Sequence, residues 1–207
     1  MTPRELRAGL SLALVFGLRL FGLFVILPVF AMYAEGLPGW NLALVGVAIG
    51  AYGLTQAILQ IPFGWASDRL GRHEVMVAGL VLMAVGSVVC ALAQSPWVVI
   101  AGRIVQGAGA ISGVAIATVA DLTRETQRAK AMALIGSTVT FSFALSFVLA
   151  PWLQASIGVP GIFSLTALLA LAAVPLVVWG VPRPDRDPSA PRSSVSFRAV
   201  LGDPALL

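Results

Sequence analysis

The sequence predicts an all-α, polytopic membrane protein, and three observations carry that prediction. Six apolar runs reach the roughly 18 to 20 residues that a helix needs to cross a bilayer. Only 11% of the 207 residues are charged, against about 25% in an ordinary soluble domain. The basic residues are confined almost entirely to every second connection between the runs. Runs this long and continuously apolar do not alternate as the strands of a membrane barrel do, which leaves helix as the structure that satisfies its own backbone in lipid.

The first span covers 10–29. It has no small-residue cleavage site and is interrupted by Arg19, so it reads as a membrane helix rather than a secretory signal. Further spans follow at 42–63, 75–93, 98–119, 131–153 and 159–181, closing a six-helix bundle over residues 1–181. Beyond it, "PRPDRDPSAPRSS" is rich in Pro and Ser and reads as an exposed linker. "SFRAVLGDPALL" then sets Phe197, Val200 and Leu201 at helical spacing, as in a short segment lying on a surface. Residues 182–207 thus read as a cytoplasmic linker leading to a region not included in the sequence.

Charge position gives the topology. Arg4 and Arg7 precede the first span, Arg69 and Arg72 join the second and third, and Arg124, Arg128 and Lys130 join the fourth and fifth. Arg183, Arg186, Arg192 and Arg198 follow the sixth, while the intervening connections hold no Lys or Arg. The positive-inside rule then puts both ends of the segment in the cytoplasm. The same distribution explains the net charge of +4 without a nucleic-acid-binding patch. One cysteine, Cys90, and one histidine exclude a disulfide framework and leave almost no ligands for a Cys/His metal site. No metal or cofactor is expected, and no nucleophile, base and orienting group assemble into an enzyme site.

Candidate functional residues are the polar ones in costly places. Arg19 and Arg103 fall inside spans, where a charge costs at least about 2.5 kcal/mol and tends to face a cavity or a partner; snorkelling to an interface is the alternative. Gln56, Gln60 and Gln106 offer neutral hydrogen bonds either to a substrate or between helices. The Gly46, Gly50, Gly53 and the Gly107, Gly109, Gly113 series read as close-packing faces. Trp40, Trp97, Trp152 and Tyr33 read as interfacial anchors, and Cys90 as a small packing residue. All nine acids lie at span ends or in connections, so no mid-membrane proton-relay carboxylate is visible.

The stretch "IPFGWASDRLGRHEV" packs charge and glycine between two spans. Through Gly64, Asp68, Arg69, Gly71 and Arg72 it resembles the signature G-x-L-[AS]-D-R-x-G-R-[KR], which joins helices two and three of major facilitator superfamily transporters; Ala66 and His73 depart from it. "GRIVQGAGA" resembles the helix-four motif of that superfamily through Arg103, Gln106, Gly107 and Gly109. "LRLFGLFVILPVF", "IGAYGLTQAILQIPFG" and the tail are similar to the YajR-type drug:proton antiporters. Gly136 and Pro151 match the helix-five pattern of the antiporters, whereas Leu145, Ala150, Gln154 and Ala155 stand where glycine or small residues are usual. The shared placement of an arginine among small residues in "GLRLFG" and "GRIVQG" fits a 3+3 inverted repeat.

The resemblance implies the N-terminal half of a twelve-helix inner-membrane transporter, partnered by a C-terminal six-helix half. It implies that Asp68 faces the other half and that Arg72 bonds Asp121, forming a latch on the cytoplasmic side. By position alone, Asp68 reads as a solvated, Arg-paired acid; the motif match reverses that reading. The expected activity is proton-coupled efflux of small hydrophobic or amphipathic compounds by alternating access. The rivals are import or exchange of a small organic anion on Arg19 and Arg103, and a non-transporting membrane scaffold.

Overall fold

A computed structural model describes residues 1–35, 39–109 and 111–182, without the side chains of residues 32–35. The linker and surface segment expected at 182–207 therefore lie outside the described residues apart from Pro182, as does the side chain of Tyr33. Every regular element among the described residues is helical: α1 Pro3–Phe24, α2 Leu27–Glu35, α3 Leu42–Leu70, α4 Arg72–Ala91, α5 Pro96–Ala108, α6 Ser112–Leu122 and α7 Glu125–Pro175, which runs on into a π-helical turn at Leu176–Gly180.

The helices outrun the predicted spans because polar capping residues extend them past the apolar stretches. α1 starts at Pro3 rather than residue 10: Thr2 Oγ1 accepts from Glu5 N–H at 3.2 Å, while Thr2 N–H donates to Glu5 Oε2 at 2.6 Å. This reciprocal box satisfies two donors that a helix start leaves bare. α3 begins where Asn41 Oδ1 caps Leu44 N–H at 2.8 Å and continues past Pro62 to Leu70 instead of stopping at 63. α7 begins at Glu125 rather than 131 without a side-chain cap, its N-cap Arg124 being held instead by Glu5.

Two expected spans are each interrupted. Pro28 cannot donate to the carbonyl of Phe24, so the first span pauses at Val25 and Ile26 before α2 continues it. The fourth breaks at Gly109, where Ile111 N–H turns back to Gly109 O at 2.9 Å instead of extending the ladder. That break separates α5 from α6.

Spans five and six form one helical run that folds back on itself. Straight, the 56 residues from Glu125 to Gly180 would reach about 84 Å, far beyond a hydrocarbon core of about 30 Å. The run is broken at Gly158, whose φ of 67° and ψ of 175° suit only a residue without Cβ. α1 records the reversal. Gly9 and Gly17 meet Leu134 and Thr138 in ascending order, whereas Ser11 and Gly22 meet Gly180 and Thr166 in descending order. The two limbs of α7 therefore run antiparallel on either side of α1.

The predicted signature loop is likewise almost all helix. Only Gly71 separates α3 from α4, with φ 119° and ψ 146°, a conformation that strongly favours glycine.

The core divides in two. One apolar cluster gathers Leu12, Phe16, Met76, Leu80, Val114 and Val177 towards the basic end. The other gathers Val25, Phe30, Ala48, Ile100, Ile162 and Phe163 towards the opposite end. Between them lies a layer of buried polar groups.

Candidate functional site

α1 carries Arg19 into the middle of that layer, near the midpoint of the apolar helix Pro3–Ala31. Its side chain is only 1% exposed, so it does not snorkel. Nη1 donates to Ser112 Oγ at 3.0 Å. Nη2 faces three acceptors: Gln56 Oε1 at 3.1 Å, Tyr52 Oη at 3.2 Å and Gly109 O at 3.2 Å. Nε is buried without an acceptor. At the break, Gly109 O accepts from both Ile111 N–H and Arg19. Irregular backbone at membrane depth is tolerated where protein covers it, and here Tyr52 and Gly79 carbonyls press so close to Gly107 and Gly109 that neither glycine has room for a Cβ.

α5 carries Arg103 into the same layer from the other side of Tyr52. Nε donates to Ala48 O at 3.3 Å and Nη1 to Gln106 Oε1 at 2.9 Å. The guanidinium lies 4.8 Å from the Tyr52 ring centroid, a cation–π distance. Gln106 Nε2 then donates to Ser87 Oγ at 2.6 Å, which donates to Met83 O at 2.7 Å. This chain ties α3, α4 and α5 together, so Gln106 takes the interhelical role rather than pointing outward. No carboxylate pairs with either arginine among the described residues.

A second constellation sits at the basic end. Arg72 Nη1 contacts Asp68 Oδ1 at 2.7 Å across the Gly71 joint, and Nε donates to Asp121 Oδ2 at 3.1 Å. Ser67 Oγ accepts from Arg72 Nη1 at 2.6 Å and donates to Gly64 O at 2.7 Å. Asp68 stays 61% exposed and Asp121 40%. Arg69 lies outside this cluster, its guanidinium 3.8 Å over the Trp65 ring.

Other expected residues are placed apart. Gln60 is exposed, beside Gly113 rather than in the arginine layer. Gly46, Gly50, Gly53, Gly64 and Gly136 have no neighbour within 4 Å of where a Cβ would stand. The expected packing of the Gly46 series is therefore not made among the described residues, because that face of α3 points away from the bundle; Gly64 of the signature stretch is equally open. Pro151 is exposed within α7.

The sequence reading missed Tyr52, Ser112 and Ser87 in the polar layer, and one ion pair at the basic end. Glu5, only 5% exposed, accepts from Arg124 Nε at 2.8 Å and from Arg124 N–H at 3.2 Å, fixing the start of α1 to the start of α7. Its signal was the Thr2-Pro-Arg-Glu5 capping pattern.

The Major Facilitator Superfamily profile matches residues 12–207. The chain is 45% identical to the inner membrane transport protein YajR of Escherichia coli strain K12, matching all of this chain and 46% of that protein. It is 35% identical to the class G tetracycline resistance protein of Vibrio anguillarum over 60% of this chain and 32% of that one. Among solved structures, the POT family transporter PepTSo superposes with a TM-score of 0.79 at 16% identity, covering 97% of this chain and 42% of that one; this likeness speaks to the fold alone. The chain spans about half the length of the curated relatives it matches. The profile match over residues 12–207 and the 45% identity to YajR place this multi-pass membrane protein, one half of the fold, in the major facilitator superfamily.

Proposed function

We propose that this chain is one six-helix half of an inner-membrane transporter that works by alternating access and exports small hydrophobic or amphipathic compounds in exchange for protons. In this reading both ends of the segment are cytoplasmic and a C-terminal six-helix half completes the site. The observation that carries it is Arg19: a buried cation held at mid-span by neutral groups from α3, α6 and the α5–α6 break. Polar groups at this depth are costly and mark a pathway, and midplane sites beside broken helices are how such carriers hold substrate. The name of the tetracycline resistance relative supports an amphipathic compound as the cargo.

Asp68, Arg72 and Asp121 act as the cytoplasmic latch. The pair is partly open to water here, so its attraction strengthens when an opposing helix bundle shields it. Among the described residues, Glu5, Asp68, Glu74, Asp121 and Glu125 lie at the basic end of the bundle and Glu35 closes α2, so proton coupling uses these helix-end groups or the other half.

The test is tetracycline uptake by proteoliposomes holding the full-length protein under an imposed pH gradient. Uptake that collapses with the gradient is expected; uptake indifferent to it, or none, overturns the exchange reading. In the same vesicles Asp68→Asn should lower turnover about tenfold, the effect of roughly 1.4 kcal/mol, with little change in affinity. Loss of binding with unchanged cytoplasmic accessibility would instead make Asp68 a ligand.

A further inference from the structure

The hydrogen-bonding of Arg19 is unevenly distributed. A guanidinium presents five N–H donors. Nη2, with two of them, faces Gln56 Oε1, Tyr52 Oη and Gly109 O, while Nε has no acceptor among the described residues. Nε and Nη2 form the side-on edge of the guanidinium, the edge that meets a planar two-oxygen anion with two parallel hydrogen bonds. One end of that edge is oversubscribed and the other is empty. A buried donor left unsatisfied on a charged group is costly. We propose that the Nε–Nη2 edge of Arg19 is the receptor for the carboxylate of an amphipathic ligand; the proposal rests on the transporter reading above and names its substrate class.

A carboxylate seated there gives Nε its acceptor and takes over one Nη2 hydrogen, leaving the other to be shared by Gly109 O and Tyr52 Oη. Gln56 is the group that yields, because it is a flexible, half-buried amide, whereas Gly109 is fixed backbone and Tyr52 is pinned under Arg103. The surroundings add two independent features. α6 begins at Ser112, whose Oγ already holds Nη1, so the first N–H groups of an eleven-residue helix lie beside the same cation. Those N–H groups lack intrahelical partners and carry the positive end of the helix dipole. No described acid pairs with Arg19 to compete with an incoming anion. Gln56 and Ser112 are half-buried, and Gln60 beside Gly113 is exposed, which makes a polar track from the surface of α3 and α6 to the guanidinium. The apolar clusters on either side of the layer suit the rest of an amphipathic molecule.

The test uses the purified full-length protein and three probes sharing one skeleton: tritiated 4-phenylbutyrate, 4-phenylbutyramide and 4-phenylbutylammonium, measured by equilibrium dialysis. The carboxylate should bind at least about tenfold more tightly than the amide, with the ammonium weakest. Arg19→Lys, which keeps the charge but loses the fork, should weaken carboxylate binding about tenfold, and Arg19→Gln more. Gln56→Leu removes the competing acceptor and should preserve or raise carboxylate affinity, a readout that stands even if an Arg19 variant does not fold. Equal binding of the three probes, no carboxylate binding at millimolar concentration, full affinity in monodisperse Arg19→Lys and Arg19→Gln proteins, or loss of binding in Gln56→Leu each overturns the proposal. Carboxylate that binds through Arg19 but is not carried by proteoliposomes removes the transport reading and leaves this inference standing. Carriage of the ammonium probe independent of Arg19, with no preference for carboxylate, does the reverse.

Discussion

Arg19 and Arg103 are the same residue type, equally buried at 1% and 2% exposure, and they share Tyr52, yet they are held in opposite ways. Arg103 has its Nε on a main-chain carbonyl, an Nη on a glutamine anchored through Ser87, and an aromatic face beneath it. Arg19 leaves Nε empty and crowds Nη2. The difference teaches that burial alone does not assign a role to a membrane arginine. The distribution of its donors does, because a guanidinium with Nε engaged on a neighbouring helix ties helices together, whereas one with Nε left bare has an edge for something else.

That contrast predicts effects of different size on thermal stability in detergent. The largest belongs to Arg103→Leu, which leaves Gln106 Oε1 without its donor and removes the cation over Tyr52; about 1–3 kcal/mol for the stranded acceptor and about 0.5–2 kcal/mol for the cation–π contact imply a loss of about 3 kcal/mol, read from the shift in Tm. If Arg19→Leu costs as much, the contrast fails. Gly109→Ala comes next. Its Cβ would run into Gly79 O, and overpacking of this kind costs about 2 kcal/mol, with the α5–α6 break and the seat of Arg19 displaced together. A Tm unchanged by this substitution would show that the break has slack. Tyr52→Phe keeps the ring under Arg103 and removes only the hydroxyl near Arg19, so the cost should stay below about 1 kcal/mol. Tyr52→Leu adds loss of the cation–π contact, about 0.5–2 kcal/mol more. Equal effects of the two would mean that the ring does nothing for Arg103. Arg19→Gln should be the smallest, within about 1 kcal/mol, because it removes an orphaned donor along with the bonds; its signature is lost ligand binding at nearly constant Tm.

Much of the architecture was legible because lipid leaves a chain few choices. Long apolar runs must be helices, and charge between them marks the turns, so the fold class follows from the sequence, with the sixth rod recovered from the reversal at Gly158. The ends of the helices were less legible. Capping by Thr2 and Asn41 and the tolerance of Pro62 are local effects that a hydropathy pattern does not contain. Arg19 stood out as a charge in an apolar run, and the pairing of Arg72 with Asp121 came from the resemblance. The partners of Arg19 did not stand out. Tyr52 is one more ring in "GAYGLTQ", and it acquires meaning only because α1 brings one guanidinium to its hydroxyl and α5 another to its ring face. Glu5 and Arg124 are 119 positions apart, and no periodicity links them. The Gly46, Gly50 and Gly53 face had the pattern of a packing surface, but which surface a small-residue stripe meets depends on the orientation of the whole helix.

The one-residue joint at Gly71 has a mechanical consequence. A long connection between two helices absorbs the movement of one before the other feels it. Here α3 and α4 meet at a single residue, and Arg72, the first residue past the joint, grips Asp68 before it and Asp121 on α6. Such a coupling has almost no backlash. A tilt of α3 is delivered directly to α4 and, through the carboxylate of Asp121, to the far end of the helix whose first turn holds Arg19. Loosening the joint by inserting residues after Gly71 would leave each helix intact but let the input turn without driving the output.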